Sequence, residues 1–315
     1  MEKEEILQIS DFLYRIKSDL DNHEYVCSYL IIGDYLILVD SGTVETFNQV
    51  LSALKFLGYK RSSLKLIINT HSHSDHIGSN ASLKEICGCL IVAHQKASRW
   101  IENHQNQCSE FLERFPKIFL PTSEDKTRFL AMMGAETTVD IKFNEGLIIN
   151  LGRDLQIQII STPGHTAGSV CIYEPVSGSL ITGDSIVGRG IFSLLSQYDD
   201  VENYLNSIRS IGELNLRRIL PSHTSPIEGT KAKTFLEESY SQVNKNQQAI
   251  MEILRSSRNK VDLGEITQEI CKKQGRQYTI EALFPIFAHL KKLEKEEVVR
   301  SIGEKWVISP SVSKQ

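Results

Sequence analysis

Thr70-His71-Ser72-His73-Ser74-Asp75-His76 is the stretch whose reading decides the fold. It places three of the chain's nine histidines and a carboxylate between positions 71 and 76. The apolar run before it, Leu64-Lys65-Leu66-Ile67-Ile68-Asn69, predicts a buried strand. Ala81-Ser82-Leu83-Lys84-Glu85-Ile86 after it predicts a helix start. An α/β layer protein sets its chemistry at the carboxyl ends of its strands, and neutral imidazole and carboxylate are ligands that suit zinc and its first-row neighbours. Residues two apart in extended chain point to one side, so His71 and His73 can grip one ion together. A turn at Ser74 then aims Asp75 and His76 elsewhere, with room for a second ion.

Outward from this stretch the same arrangement recurs. Residues 6 to 40 predict a β-meander, with Phe12 to Ile16, Val26 to Ile32 and Tyr35 to Val39 as strands and Gly33-Asp34 as a tight turn. The meander ends in Asp40-Ser41-Gly42. Helical apolar spacing from Val44 to Leu57 stops at Gly58. Further strands are predicted at Leu155 to Ile160, Ser169 to Tyr173 and Leu180 to Thr182. The flanking junctions carry His165 in Thr162-Pro163-Gly164-His165-Thr166, Asp184 after Thr182-Gly183, and His223 after Arg218-Ile219-Leu220-Pro221-Ser222. Residues of about 95–140 read as a helical insertion, broken by Pro116 and Pro121 and rich in Phe and Met. It either covers a sheet edge, forms a wall of the pocket near the metals, or does both.

The bulk numbers exclude several classes. With 315 residues the chain is long enough for one large domain and a smaller one. A hydrophobic content of 41% and a charged content of 23% are those of a globular protein. A net charge of −4 gives no global basic field for nucleic acid. The six cysteines lack the pattern of a disulfide scaffold. Reduced core thiols are the simpler reading, with Cys87-Gly88-Cys89 the one alternative as a soft-metal pair. No signal peptide or apolar span is visible, so the chain reads as cytoplasmic and not membrane-bound. His94, His104 and His289 lack companion ligands and are expected on helical surfaces.

From about residue 230 the composition turns to long, polar-faced helices: Phe235 to Arg255, Leu263 to Lys273 and Ile280 to Leu293. A hairpin around Gly303-Glu304 follows. From residue 231 onward 15 Lys and Arg face 11 Asp and Glu, a mild reversal of the overall sign. Two units are expected, 1–229 and 230–315, the second helical and winged-helix-like.

Thr-His-Ser-His-Ser-Asp-His at 70–76, His165 in its Thr-Pro-Gly-His-Thr turn, Gly183-Asp184, His223 and the early Asp40 together resemble the metallo-β-lactamase superfamily. The resemblance covers roughly residues 6 to 228. It implies an α/β fold, the four-layer αββα sandwich of two mixed sheets with helices outside, and a binuclear metal centre at one sheet edge. By the same resemblance His71, His73 and His165 hold one ion, Asp75, His76 and His223 the other, and Asp184 bridges them. Asp40 stands behind them and orients a ligand histidine. Ser79 and Ser222 stand where the family commonly has glycine; neither is a ligand position.

The resemblance further implies two divalent ions, zinc first, with iron or manganese as alternatives. Metal lowers the pKa of bound water towards ~7, giving a hydroxide nucleophile, with Asp75 placed to orient it or accept its proton. The expected function is hydrolysis of a small ester, thioester or lactone. One alternative is a metal-dependent endoribonuclease of the same superfamily, suggested by the tail; another is a non-catalytic ligand-binding regulator. A small acyl substrate is the expected partner, and nucleic acid is the less favoured one. Outside the metal shell, His23, Tyr25, Arg189, Phe192 and Tyr198 are the candidates for contact with substrate. Tyr198-Asp199 alternatively caps the helix that follows.

Overall fold

The computed structural model describes residues 6–20, 24–152, 154–188, 190, 194–257 and 259–310. The meander forms as four strands, β1 (Ile6–Ser10), β2 (Leu13–Asp19), β3 (Tyr25–Ile32) and β4 (Leu36–Val39). Parallel strands β5 (Leu64–Ile68), β6 (Leu90–His94) and β7 (Ile141–Phe143) extend them into a mixed seven-stranded sheet in sequential order. A second mixed sheet holds six strands in the order β13-β12-β11-β10-β9-β8. They are β8 (Leu147–Asn150), β9 (Gln156–Ser161), β10 (Val170–Glu174), β11 (Ser179–Gly183), β12 (Arg218–Pro221) and β13 (Ile227–Glu228). β7 and β8, which the sequence reading does not assign, are short edge strands whose residues are half-buried or exposed. Edges show little of the apolar alternation that marks a buried strand.

Alternation builds the layers. Ile37 and Val39 of β4 face inward and meet Ile157, Ile159, Ile172 and Leu220 of the second sheet. Leu36 and Leu38 face the other way, onto helices α1 (Phe47–Phe56), α3 (Asn80–Cys87) and α4 (Gln95–Ile101). The short α2 (Ser74–Ile77) lies between α1 and α3 in sequence. On the far side, Cys171, Leu180 and Ile219 pack against α7 (Val201–Gly212) and α8 (Thr230–Ser256). The result is the four-layer αββα sandwich. All six cysteines of the chain are buried and unpaired, as expected of core thiols.

The insertion folds as α4, α5 (His104–Leu112) and α6 (Ser123–Met132). Beyond α8 the chain continues through β14 (Val261–Asp262), α9 (Leu263–Gln274), α10 (Ile280–Lys295), β15 (Val299–Ile302) and β16 (Lys305–Ile308). The last three-stranded sheet runs β14-β16-β15. Cys108, Phe111 and Phe115 of the insertion share one apolar core with α8, α9 and α10, and Phe111 stacks on Phe284 at 4.9 Å. The insertion therefore does more than cover an edge: it is the seat of the tail.

The three histidines expected on helical surfaces are buried instead. His94 ends β6, where its ring accepts the Lys96 N–H at 3.1 Å and caps α4. His104 opens α5 with its ring hydrogen-bonded to the backbone at Ile101 and Gly134, and His289 of α10 hydrogen-bonds the Tyr198 hydroxyl. Each ring has a local hydrogen-bonding task that spacing in sequence does not show. No helix among the described residues is long and apolar enough to cross a membrane.

Candidate metal centre

β4 and β5 are parallel, as are β11 and β12, and β9 shares the direction of β11 through two antiparallel steps. Their carboxyl ends meet along one rim, which brings Asp40, the 71–76 stretch, His165, Asp184 and His223 together. Val170 N–H donates to the Thr70 carbonyl at 2.8 Å and ties the two sheets at this rim. Gly183 has φ +50, and a Cβ there would lie 2.3 Å from Thr70 Oγ1, so only glycine lets β11 approach so closely. Ser79 is accommodated, its Oγ donating to the Thr43 carbonyl at 2.6 Å; Ser222 Oγ is buried without a hydrogen bond among the described residues, while the Ser222 carbonyl accepts Cys27 N–H at 2.8 Å.

Three groups of possible ligand atoms form, with every atom of a group within 4.8 Å of the others: His71, His73 and His165; His71, His76 and Asp184; and Asp75, His76 and His223. Asp184 Oδ2 stands 3.3 Å from His223 Nε2 and 3.7 Å from His76 Nε2, while Asp75 Oδ2 stands 3.1 Å from His223 Nε2.

The far nitrogens settle which lone pairs point inward. His76 Nδ1 donates to Asp40 Oδ2 at 2.8 Å, His165 Nδ1 to the Gln197 carbonyl at 2.9 Å and His223 Nδ1 to the Tyr25 carbonyl at 2.8 Å. Thr70 Oγ1 gives its only proton to Asp40 Oδ2 at 2.7 Å, so His71 Nδ1 donates to Thr70 Oγ1 at 3.0 Å. All four rings thereby present Nε2 to the centre as an acceptor. His73 turns Nδ1 inward instead, 3.2 Å from His165 Nε2.

Charge tells the same story. Burial, reinforced by the other rings, holds His71 and His165 below the usual imidazole range and His73 down to about 3. In the other group burial works against charge, yet Asp75, Asp40 and Asp184 raise His76 to about 10. Asp184 and Asp75 likewise raise His223 against its burial. One half is a set of neutral donors; the other calls for positive charge at its middle. Buried His71 Nε2, His76 Nε2 and Asp184 Oδ1 make no hydrogen bond among the described residues. Buried polar atoms without partners are costly, and cations at the two foci would satisfy all three. The residues fit a divalent pair.

A cavity of about 520 Å³ opens onto the cluster, with His73, Asp75, Asp184 and His223 on one wall and Phe111, Phe119, Phe129, Met132, Leu194 and Ile280 among the others. Phe111 meets His73 edge-on at 5.4 Å. The Phe/Met-rich insertion is thus a pocket wall. Of the expected substrate contacts, Tyr198 does not line this cavity: its ring is fully buried, and its hydroxyl is bonded to His289 and Asn246. The cap of α7 is Asp200, whose carboxylate accepts Asn203 N–H, rather than Tyr198-Asp199. Tyr25 touches the site by its carbonyl, while Lys17 sits over its ring at 4.7 Å. His23, Arg189 and Phe192 lie outside the described residues. The sequence singles out neither Thr70, nor Gln197, nor Gln107, whose Nε2 donates to the Ser72 carbonyl at 2.7 Å. Thr70 is foreshadowed by its place beside His71; the other two have no local signal.

Residues 23–223 match the family model described as Metallo-beta-lactamase superfamily. The chain belongs to the metallo-β-lactamase superfamily. Members of this superfamily generally bind divalent metals, often zinc. A probable metallo-hydrolase of Methanocaldococcus jannaschii is 33% identical over 205 residues, 62% of this chain and 86% of that protein. The beta-lactamase-like protein 2 homolog of Caenorhabditis elegans is 26% identical over 276 residues, 87% of this chain and 80% of that one. A metallo-beta-lactamase family protein of Thermus thermophilus superposes with a TM-score of 0.80 at 18% identity, covering 96% of this chain and all of its own. That last likeness bears on the fold, and its coverage takes in the C-terminal helices.

Proposed function

We propose that this superfamily member is a binuclear metal-dependent hydrolase of small esters, thioesters or lactones with an apolar acyl part. The observation that carries the substrate class is the cavity wall of Phe111, Phe119, Phe129, Met132, Leu194 and Ile280 facing the His/Asp cluster. His71, His73 and His165 would hold one ion, and Asp75, His76 and His223 the other, with Asp184 between them. When bound, such a pair supplies Lewis acidity and lowers the pKa of water towards ~7. Zinc is the first choice, iron or manganese the alternatives. Asp75, 22% exposed and on the cavity wall, orients the attacking water and takes its proton. The aromatic wall seats the acyl group and keeps bulk water from the scissile bond.

The test is a panel of acyl thioesters and lactones offered to protein loaded with zinc. Close to two equivalents of metal should be retained, and a chelator should abolish turnover that added zinc restores. An inert, fully loaded protein would defeat this reading. The wall makes its own forecast. Phe129 stacks on Phe111 at 5.7 Å, so Phe129→Ala should raise KM for short acyl substrates by roughly tenfold through lost apolar contact. Acyl chain-length profiles of kcat/KM measure this; an unchanged profile means the substrate sits elsewhere.

A second reading, a metal-dependent ribonuclease, is favoured by the tail. Its order of helix, strand, two helices and hairpin supports a winged-helix-like unit at 230–315 joined to a hydrolase unit at 1–229. The described cavity wall speaks against a polyanion: Glu24, Asp125 and Glu281 line it, and Arg128 is ion-paired with Asp125. Salt-sensitive, metal-dependent cleavage of single-stranded RNA, lost in Asp184→Asn, would favour the ribonuclease.

A further inference from the structure

Tyr198 is the centre of a buried polar network that the hydrolytic chemistry does not use. Asn246 of α8 donates from Nδ2 to Tyr198 Oη at 3.0 Å. Its Oδ1 accepts from Gln242 Nε2 and from Gln274 Nε2, both at 3.0 Å. Because Asn246 gives Tyr198 a proton, the phenol donates its own to His289 Nε2 of α10 at 2.9 Å. Burial keeps His289 neutral, so it is able to accept. The network runs in one direction, from Gln242 and Gln274 through Asn246 and the Tyr198 hydroxyl of the sandwich to His289, and so joins all three tail helices to one hydroxyl. Tyr198, Asn246 and His289 are all fully buried.

The segment carrying that hydroxyl clamps the metal rim. Immediately before Tyr198, the Gln197 carbonyl accepts His165 Nδ1–H at 2.9 Å. Immediately after it, Asp199 N–H and Asp200 N–H both donate to the Gly164 carbonyl, at 2.7 and 3.2 Å. Gly164 has φ +139, and a Cβ there would lie 2.4 Å from Tyr204 Cα, so the turn bearing His165 is pressed against the start of α7. Three bonds from residues 197–200 thus fix the position and tautomer of His165.

We infer that the C-terminal helices position the metal centre: through Tyr198 they hold segment 197–200, which orients His165 toward His71 and His73. This makes Tyr198, Asn246 and His289 positioning residues. It rests on the proposed metal-binding role of His165. Polar groups behind a ligand histidine set its orientation and basicity, and losing them costs roughly 10–100-fold in metal affinity. A merely structural tail would influence stability without a specific effect on metal release.

The experiment follows loss of zinc from the full-length, zinc-loaded chain to excess chelator, with a chromogenic indicator. Tyr198→Phe removes only the hydroxyl. It should release one zinc equivalent roughly tenfold faster than wild type, with the folded far-ultraviolet spectrum kept. Ile270→Val, which loosens the buried tail core without touching the network, should release zinc at the wild-type rate. His289→Gln offers the phenol an amide acceptor and should restore slow release relative to His289→Leu. Folded Tyr198→Phe with wild-type release overturns the inference, as does Ile270→Val releasing as fast as Tyr198→Phe. Should Tyr198→Phe fail to fold, Asn246→Ala, which retains the phenol and His289, is held to the same two criteria. A wild-type chain that binds no zinc would instead refute the metal-binding reading beneath it.

Discussion

Asp184→Asn should lower turnover by at least about a hundredfold and reduce bound metal from about two equivalents to about one. The substitution keeps the shape and removes the charge. Asp184 is buried, with Oδ2 3.3 Å from His223 Nε2 and 3.7 Å from His76 Nε2, and with Oδ1 unbonded among the described residues. It is the carboxylate within reach of both histidine groups, since His71 and His76 share it in one set of possible ligands. Two cations at short separation repel strongly, and an anion between them is what lets both stay. A neutral amide leaves that repulsion unrelieved. Even residues behind a ligand cost 10–100-fold when lost, so a ligand shared by both ions should cost at least the upper part of that range. Metal analysis beside kcat/KM measures both effects. Two retained equivalents with undiminished turnover would show that Asp184 does not join the groups.

The sandwich and its rim were legible because each is written locally. β4, β5 and β12 are short apolar runs with a polar residue straight after them, and alternation assigns Ile37 and Val39 to one face and Leu36 and Leu38 to the other. A resemblance built on five such junctions carries most of the expected ligand set. What sequence withheld falls into two kinds. β7 and β8 are edge strands, half solvated, so periodicity has nothing to mark. Gln197 and Tyr25 act through backbone carbonyls, which every residue owns. Tyr198 was expected in the cleft because it follows Asp184 closely in sequence. It turns inward because Asn246 and His289, 48 and 91 residues later, provide a buried partner for its hydroxyl.

The insertion links these two kinds of information. Its phenylalanines could be read as a cover or as a wall, and they are both: Phe111 touches His73 on one side and Phe284 of α10 on the other. Tail, insertion and metal rim are therefore mechanically continuous. Variants in the tail should accordingly be judged by metal retention as well as by stability.

Asp40 is the residue where stability and metal binding are most tightly joined. It is 1% exposed and sits at φ +58, a left-handed conformation that aspartate and asparagine tolerate better than alanine. Its carboxylate accepts three hydrogen bonds, from Thr70 N–H at 2.7 Å, Thr70 Oγ1 at 2.7 Å and His76 Nδ1 at 2.8 Å. It thus fixes the tautomer of His76 directly and that of His71 through Thr70. Asp40→Ala orphans three buried donors and strains the backbone; about 3 kcal/mol or more of stability should be lost, since each abandoned group costs about 1–3 kcal/mol before water relaxes it. Asp40→Asn separates the two roles. Its backbone preference suits the site, but an amide nitrogen now faces donors where an acceptor stood. His76 or His71 must turn its proton inward, and zinc affinity should fall by roughly 10–100-fold with a smaller loss of stability. Thermal unfolding of the apo chains, read beside zinc competition titrations, distinguishes these outcomes. Wild-type zinc affinity in Asp40→Asn would mean that the tautomers are set by something other than this carboxylate.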